Sequence, residues 1–168
     1  MRRGETVLEI GGGIGEIELE LLRAGAERAT NVELSGAYEP QGNALLGEQG
    51  LGGRIDWRYG DVAVDRELAP AADVVVLNRV VCCYPDMPAL VDAVAEKTQR
   101  ALALSFPRDT MLVRLSARII NGWCRVRRKD FRFFVHPPRA IVATATARGL
   151  QLVHEHSGRF WQIAALER

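Results

Sequence analysis

One short stretch constrains this chain more than any other: Glu9-Ile10-Gly11-Gly12-Gly13-Ile14-Gly15. It ends a short apolar run, Thr6 to Ile10, whose length and bounding glycines suit a buried strand. From Gly15 the spacing turns helical: Ile17, Leu21 and Ala24 share one face, Glu16, Glu20 and Arg23 face away, and Gly25 is the stop. A strand running through a glycine hinge into a helix leaves free N–H groups at the helix start. Glycines also let the backbone turn sharply and let a ligand approach it closely. A dinucleotide loop wants G-x-G-x-x-G, and here Glu16 takes the third glycine's place, setting a carboxylate where a pyrophosphate would sit. The spacing E-x-G-x-G-x-G fits instead a ligand with no phosphate and a cationic centre.

The rest of the chain alternates strand and helix. Ala29 to Leu34 reads as a strand, Tyr38 to Gln49 as a helix, and Ile55 to Tyr59 as a strand running into Gly60-Asp61. Asp73 to Asn78 has the β-branched run of a strand covered on both faces. Asp86 to Arg100 is helical, with Met87, Leu90, Val91, Val94 and Ala95 inward, and Ala101 to Phe106 is a strand closed by Pro107. An amphipathic helix over Asp109 to about Trp123 carries Leu112, Leu115, Ile119 and Trp123 along one side. A basic, aromatic stretch over Arg125 to Phe134 follows, and Pro137-Pro138 opens a helix through Arg148. Leu150 to Glu155 and Phe160 to Leu166 complete the set as a hairpin, which makes the last strand antiparallel. This order predicts a doubly wound α/β sheet of seven mostly parallel strands with helices on both faces, in one domain over 1–168.

With 168 residues, 48% apolar and 26% charged, the composition excludes disorder and a disulfide scaffold. Three cysteines, Cys82 and Cys83 adjacent, form no CxxC pair, and we expect no metal, no vicinal disulfide and a cytoplasmic setting. The net charge of +1 hides a split. Residues 1–107 hold 10 Lys/Arg against 17 Asp/Glu, a net of −7, and residues 108–139 hold 9 against 2, a net of +7. A basic run of this kind is either a solvated face or a surface for an anionic partner.

VLEIGGGIGEIELELL, NVELS, YGDV and ADVVVLNRVVCCYP together resemble, in order and spacing, the four motifs of class I S-adenosylmethionine-dependent methyltransferases. The stretches NRVVCCYPD, SFPRD and FVHPP look more narrowly like bacterial small-molecule enzymes related to magnesium-protoporphyrin O-methyltransferases. The resemblance implies a Rossmann-like class I methyltransferase fold with S-adenosylmethionine as methyl donor. It implies that Gly11, Gly13 and Gly15 shape the donor loop, and that Glu33 holds the ribose hydroxyls with Leu34 beside it. Asp61, followed by Val62, would meet the adenine amine. Glu9 would order the loop or neutralise the cationic ligand, with a purely structural role left open. A carboxylate suits a cis diol because charged acceptors make the stronger hydrogen bonds.

Ligands in open α/β sheets sit beyond the carboxyl ends of the strands, which places Asn78 and Arg79 at that edge. Asn78 is therefore a candidate for the donor's amino-acid tail, for the acceptor or for catalysis, with simple loop capping the alternative. Tyr84 is a candidate wall of the acceptor pocket, with core packing the alternative, and His136 is the best candidate general base, with a loop histidine packed against the prolines the alternative. His154 and His156 are weaker, and the two cysteines read as small buried hydrophobes. No D/N-P-P-Y/F sequence follows the fourth strand, which points away from methylation of a base or amide nitrogen.

Family members recognise the acceptor between the fifth and sixth strands, here 109–148, where Arg114, Arg118, Arg125, Arg127, Arg128, Lys129 and Arg132 interleave with Trp123, Phe131, Phe133 and Phe134. These residues suggest an acidic, flat or lipophilic small molecule, methylated at oxygen. Peripheral membrane contact through 108–139 is the second reading, and nucleic acid, which we do not expect, is the third. Relatives carry several dozen mostly helical residues before the first strand. Their absence before Thr6 leads us to expect weak donor affinity or a homodimer that closes the site. A non-catalytic donor-binding domain and, further off, an NAD(P)-dependent oxidoreductase are the rival readings.

Overall fold

The computed structural model describes residues 2–168. Seven strands form one sheet in the order β3-β2-β1-β4-β5-β7-β6: β1 (Thr6–Ile10), β2 (Arg28–Glu33), β3 (Ile55–Tyr59), β4 (Ala72–Asn78), β5 (Thr98–Pro107), β6 (Gln151–Ser157) and β7 (Trp161–Glu167). The first five pair in parallel, and β7 runs antiparallel to both β5 and β6. This is the expected Rossmann-like arrangement. The strand order reverses between β1 and β4, and that reversal opens a crevice at their carboxyl ends.

Alternation along the strands sorts side chains to two layers. Leu8, Ile10, Val75, Leu77, Leu102, Leu104 and Phe106 meet α3 (Met87–Lys97) and α5 (Pro138–Thr146) in the larger core. Val7, Ala29 and Ile55 meet α1 (Glu16–Arg23) and α2 (Glu39–Glu48) on the opposite face. Burial of a Leu or Phe is worth about 1.5–3 kcal/mol, so the larger cluster carries most of the stability. Asp86 caps α3 by accepting from the Ala89 N–H at 3.1 Å. Thr110 caps α4 (Met111–Val126) through Val113 in the same way.

Several local expectations shift. The inward face of α1 carries Glu18, Leu19 and Leu22, not Ile17, Leu21 and Ala24. The helix expected from Tyr38 starts as a 3-10 turn over Gly36–Tyr38, and α2 begins where Pro40 can occupy its first turn. The helix expected to reach Arg100 ends at Lys97, because Thr98 returns its hydroxyl to the Val94 carbonyl and its backbone joins β5. Strand β6 begins and ends later than expected and is exposed along its length, as an edge strand with little packed against it. Along α4, the side bearing Leu112, Leu115, Ile119 and Trp123 faces solvent, while Val113, Ala117 and Cys124 face the protein. Cys83 is exposed rather than buried, because a 3-10 turn over Val81–Cys83 points only Val81 and Cys82 into the core. Among the described residues no helix is long and apolar enough to cross a membrane.

Candidate active site

The glycine loop continues the sheet before it turns. Gly11 N–H donates to the Val32 carbonyl at 2.8 Å, and Gly15 N–H closes the turn on Gly12 at 3.0 Å. Gly15, in the left-handed region at φ 82°, starts α1. Gly13 lies at φ 60° with open space on the side where a Cβ would stand. Its N–H donates 2.8 Å to Glu33 Oε1, and the Leu34 N–H donates 3.1 Å to Glu33 Oε2. Glu33, at the end of β2, is thus tied to the loop after β1 before any ligand arrives.

Beneath the loop lies a polar cluster that the sequence reading did not find. Glu9 from β1, Glu18 from α1 and Asn31 from β2 are all buried. A Cβ on Gly12 would stand 2.7 Å from Asn31 Nδ2, 2.9 Å from Glu18 Oε1 and 3.0 Å from Glu9 Cδ, so only glycine fits above them. Glu9 Oε2, both Glu18 oxygens and both polar atoms of Asn31 have no hydrogen-bond partner among the described residues. Burial pushes both carboxyls well above the usual range, and for Glu9 the neighbouring Glu18 adds to it. The available signal was period: Glu9 shares Val7's side of β1, and Glu18 is one turn from Leu22.

Above the loop, the crevice holds a cavity of about 310 Å³. It is lined by Gly11, Glu33, Leu34, Asp61, Val62, Asn78 and Tyr84, all singled out from sequence, and by Tyr38, Arg79 and Cys83 among those that were not singled out for binding. Gly13 and Gly15 border the loop without lining this cavity, and Glu9 stays below it. Asp61 accepts from the Ala63 N–H at 2.9 Å and from the Tyr84 hydroxyl at 2.8 Å, a pair that fixes its carboxylate and leaves lone pairs free. Burial, with help from Asp61, pushes the Tyr84 hydroxyl up to about 12, so it stays a donor. Asn78 Oδ1 accepts from Ser105 Oγ at 2.7 Å, and Ser105 Oγ in turn accepts from the Arg79 N–H at 2.8 Å. This chain orients the Asn78 amide group. The Cys82 thiol lowers the pKa of Cys83 by hydrogen bonding.

The acceptor segment folds back on this site. Asn121 of α4 binds both the N–H and the carbonyl of Phe133, at 2.7 and 2.9 Å. Phe134 N–H donates to the Cys82 carbonyl at 2.6 Å. The His136 Nε2 lies 2.9 Å from the Tyr84 carbonyl, and its ring stacks on Phe134 at 5.7 Å. His136 therefore pins the segment to the loop after β4 and does not line the cavity. His154 and His156 sit on the exposed edge strand β6.

The family described as "Methyltransferase domain" matches residues 1–155. The chain belongs to that methyltransferase family. Among solved structures, this methyltransferase is similar to magnesium protoporphyrin IX methyltransferase from Synechocystis PCC 6803 with bound SAH, at a TM-score of 0.78 and 20% identity, covering 99% of this chain and 74% of that one. It is also similar to an O-methyltransferase family protein from Burkholderia thailandensis, at 0.78 and 20%, covering 99% and 51%. The [4+2]-cyclase SpnF has the same fold, at 0.76 and 13%, covering 100% and 76%. These likenesses establish the fold. No curated protein sequence matches the chain.

Proposed function

We propose that this single-domain methyltransferase takes the methyl group of S-adenosylmethionine and transfers it to oxygen on a small acidic or lipophilic acceptor in the cytoplasm. The observation that carries the donor assignment is the cavity with Glu33 at the β2 end and the Asp61–Tyr84 pair at the next strand end. Glu33 would hold the ribose diol, Asp61 the adenine amine, and Leu34 and Val62 the faces of the base. The acidic side chains of Glu33 and Asp61 on the cavity wall suit a ligand with cationic groups better than a pyrophosphate. Glu16, exposed at the first position of α1, adds a charge that a pyrophosphate would oppose.

When bound, the donor supplies an electrophilic methyl on a sulfonium. The protein contributes alignment and exclusion of water, and alignment of this kind is worth roughly 7–11 kcal/mol. Asn78, oriented through Ser105, and Tyr84 shape the side where an acceptor enters. With His136 Nε2 facing the Tyr84 carbonyl, the acceptor best served is one that arrives already ionised, such as a carboxylate or an acidic phenol. Arg79, which lines the cavity, suits such an anion.

Isothermal titration with S-adenosylmethionine and with NAD tests the donor reading. We expect binding of the first alone. Product analysis over matched acidic and neutral acceptors then tests the acceptor class. Indifference to acceptor charge refutes it, and donor binding without S-adenosylhomocysteine production marks a non-catalytic domain.

A further inference from the structure

We propose that α4 is an interfacial helix that docks this protein on an anionic lipid bilayer. The inference is independent of the donor and acceptor assignments. At 100° per residue, Met111, Leu112, Leu115, Ile119, Trp123 and Val126 fall within an arc of about 120°. They are exposed by 89%, 58%, 52%, 64%, 60% and 79%, whereas the arc facing the protein holds Val113, Ala117 and Cys124. A contiguous outward strip of this kind marks an interaction surface.

Charge decides what covers it. Arg114, Arg118 and Arg125 form a ridge along one border of the strip, and the helix contains no acidic residue. The turn that follows adds Arg127, Arg128, Lys129 and Arg132. Asp109, paired with Arg114, and Asp130 are the two acids in 108–139. A second copy of the chain would bring Arg ridges together with no carboxylate on the helix to offset them. A nucleic acid would satisfy the arginines and leave the aliphatic strip in water. An anionic bilayer satisfies both, with the apolar strip at the acyl boundary and the guanidinium groups at the phosphates. At 16 residues the helix is about 24 Å long, which suits lying in the interface plane rather than crossing it. The net −7 of residues 1–107 is repelled by the same surface and turns the rest of the molecule outward.

Flotation of the whole chain with phosphatidylcholine vesicles, with and without phosphatidylglycerol, tests the proposal. We expect binding only with the anionic lipid, weakened by salt. Brominated acyl chains should quench tryptophan fluorescence, and Trp123→Phe should remove that quenching, since Trp57 and Trp161 are both more buried. Ile119→Asp should abolish binding, and Arg118→Glu with Arg125→Glu should weaken it at least tenfold. All three side chains are exposed, so the variants should keep the parent circular dichroism and melting temperature. No binding to anionic vesicles, or binding that survives Ile119→Asp, overturns the proposal. So does a dimer in light scattering that Ile119→Asp dissociates.

Discussion

Glu9 and Glu18 approach each other from β1 and α1 beneath the glycine loop, buried, with Asn31 as the third polar group. Neutral carboxyls are favoured there, so the folded protein keeps protons that the unfolded chain releases above its ordinary value of 4.5. This contribution to stability is complete below 4.5 and is lost as pH rises through the raised folded values. We expect Glu18→Gln to flatten the fall of melting temperature between about pH 5 and 8 and to stabilise the protein at the upper end by on the order of 2 kcal/mol. Thermal melts across that range check it; a slope equal to the parent's refutes it.

Glu33 serves the loop and the cavity together, since it accepts from the Gly13 N–H while lining the space above. Glu33→Ala should weaken S-adenosylmethionine binding at least tenfold, because charge-assisted hydrogen bonds are worth about 1.5–3 kcal/mol each. Glu33→Gln should fall between the two. Calorimetric affinities in that order support the ribose assignment, and parent-like affinity in Glu33→Ala removes it.

Gly12 and Gly47 should respond in opposite directions to alanine. At Gly12 the added methyl would push into Asn31 and Glu18, which are buried, and should cost about 2 kcal/mol. At Gly47, within α2, nothing lies within 4 Å of the new Cβ, and alanine should stabilise by about 0.5–1 kcal/mol. Denaturant unfolding of the two variants gives both signs in one experiment.

Tyr84 holds Asp61 from across the cavity by a 2.8 Å hydrogen bond. Tyr84→Phe should cost about 1 kcal/mol of stability and lower donor affinity several-fold by releasing that carboxylate. If affinity is unchanged while stability drops, the hydroxyl is a structural tie alone.

Strand and helix order was legible because period and glycine punctuation are local. Thr6–Ile10 and Ile55–Tyr59 match their strands residue for residue, and the inward face of α3 is as read. Glu33, Asp61, Asn78 and Tyr84 converge on the cavity because each closes a parallel strand or follows one, and parallel strands deliver their ends to one edge. The inward face of α1 was misread because alternative helical stripes score alike when Glu18 is counted as a surface residue. Only the packing of α1 on β1 reveals that Glu18 is inside.

The amino-acid order by itself determined the alternation of elements, the glycine hinge and the candidate acids at the strand ends, since these depend on backbone propensity within a few residues. Tertiary structure alone decided that Glu18 joins Glu9, that His136 bonds to Tyr84 instead of lining the cavity, and that the apolar side of α4 meets solvent. Each of these rests on which surfaces remain uncovered once distant segments have packed, and a sequence carries no local record of that.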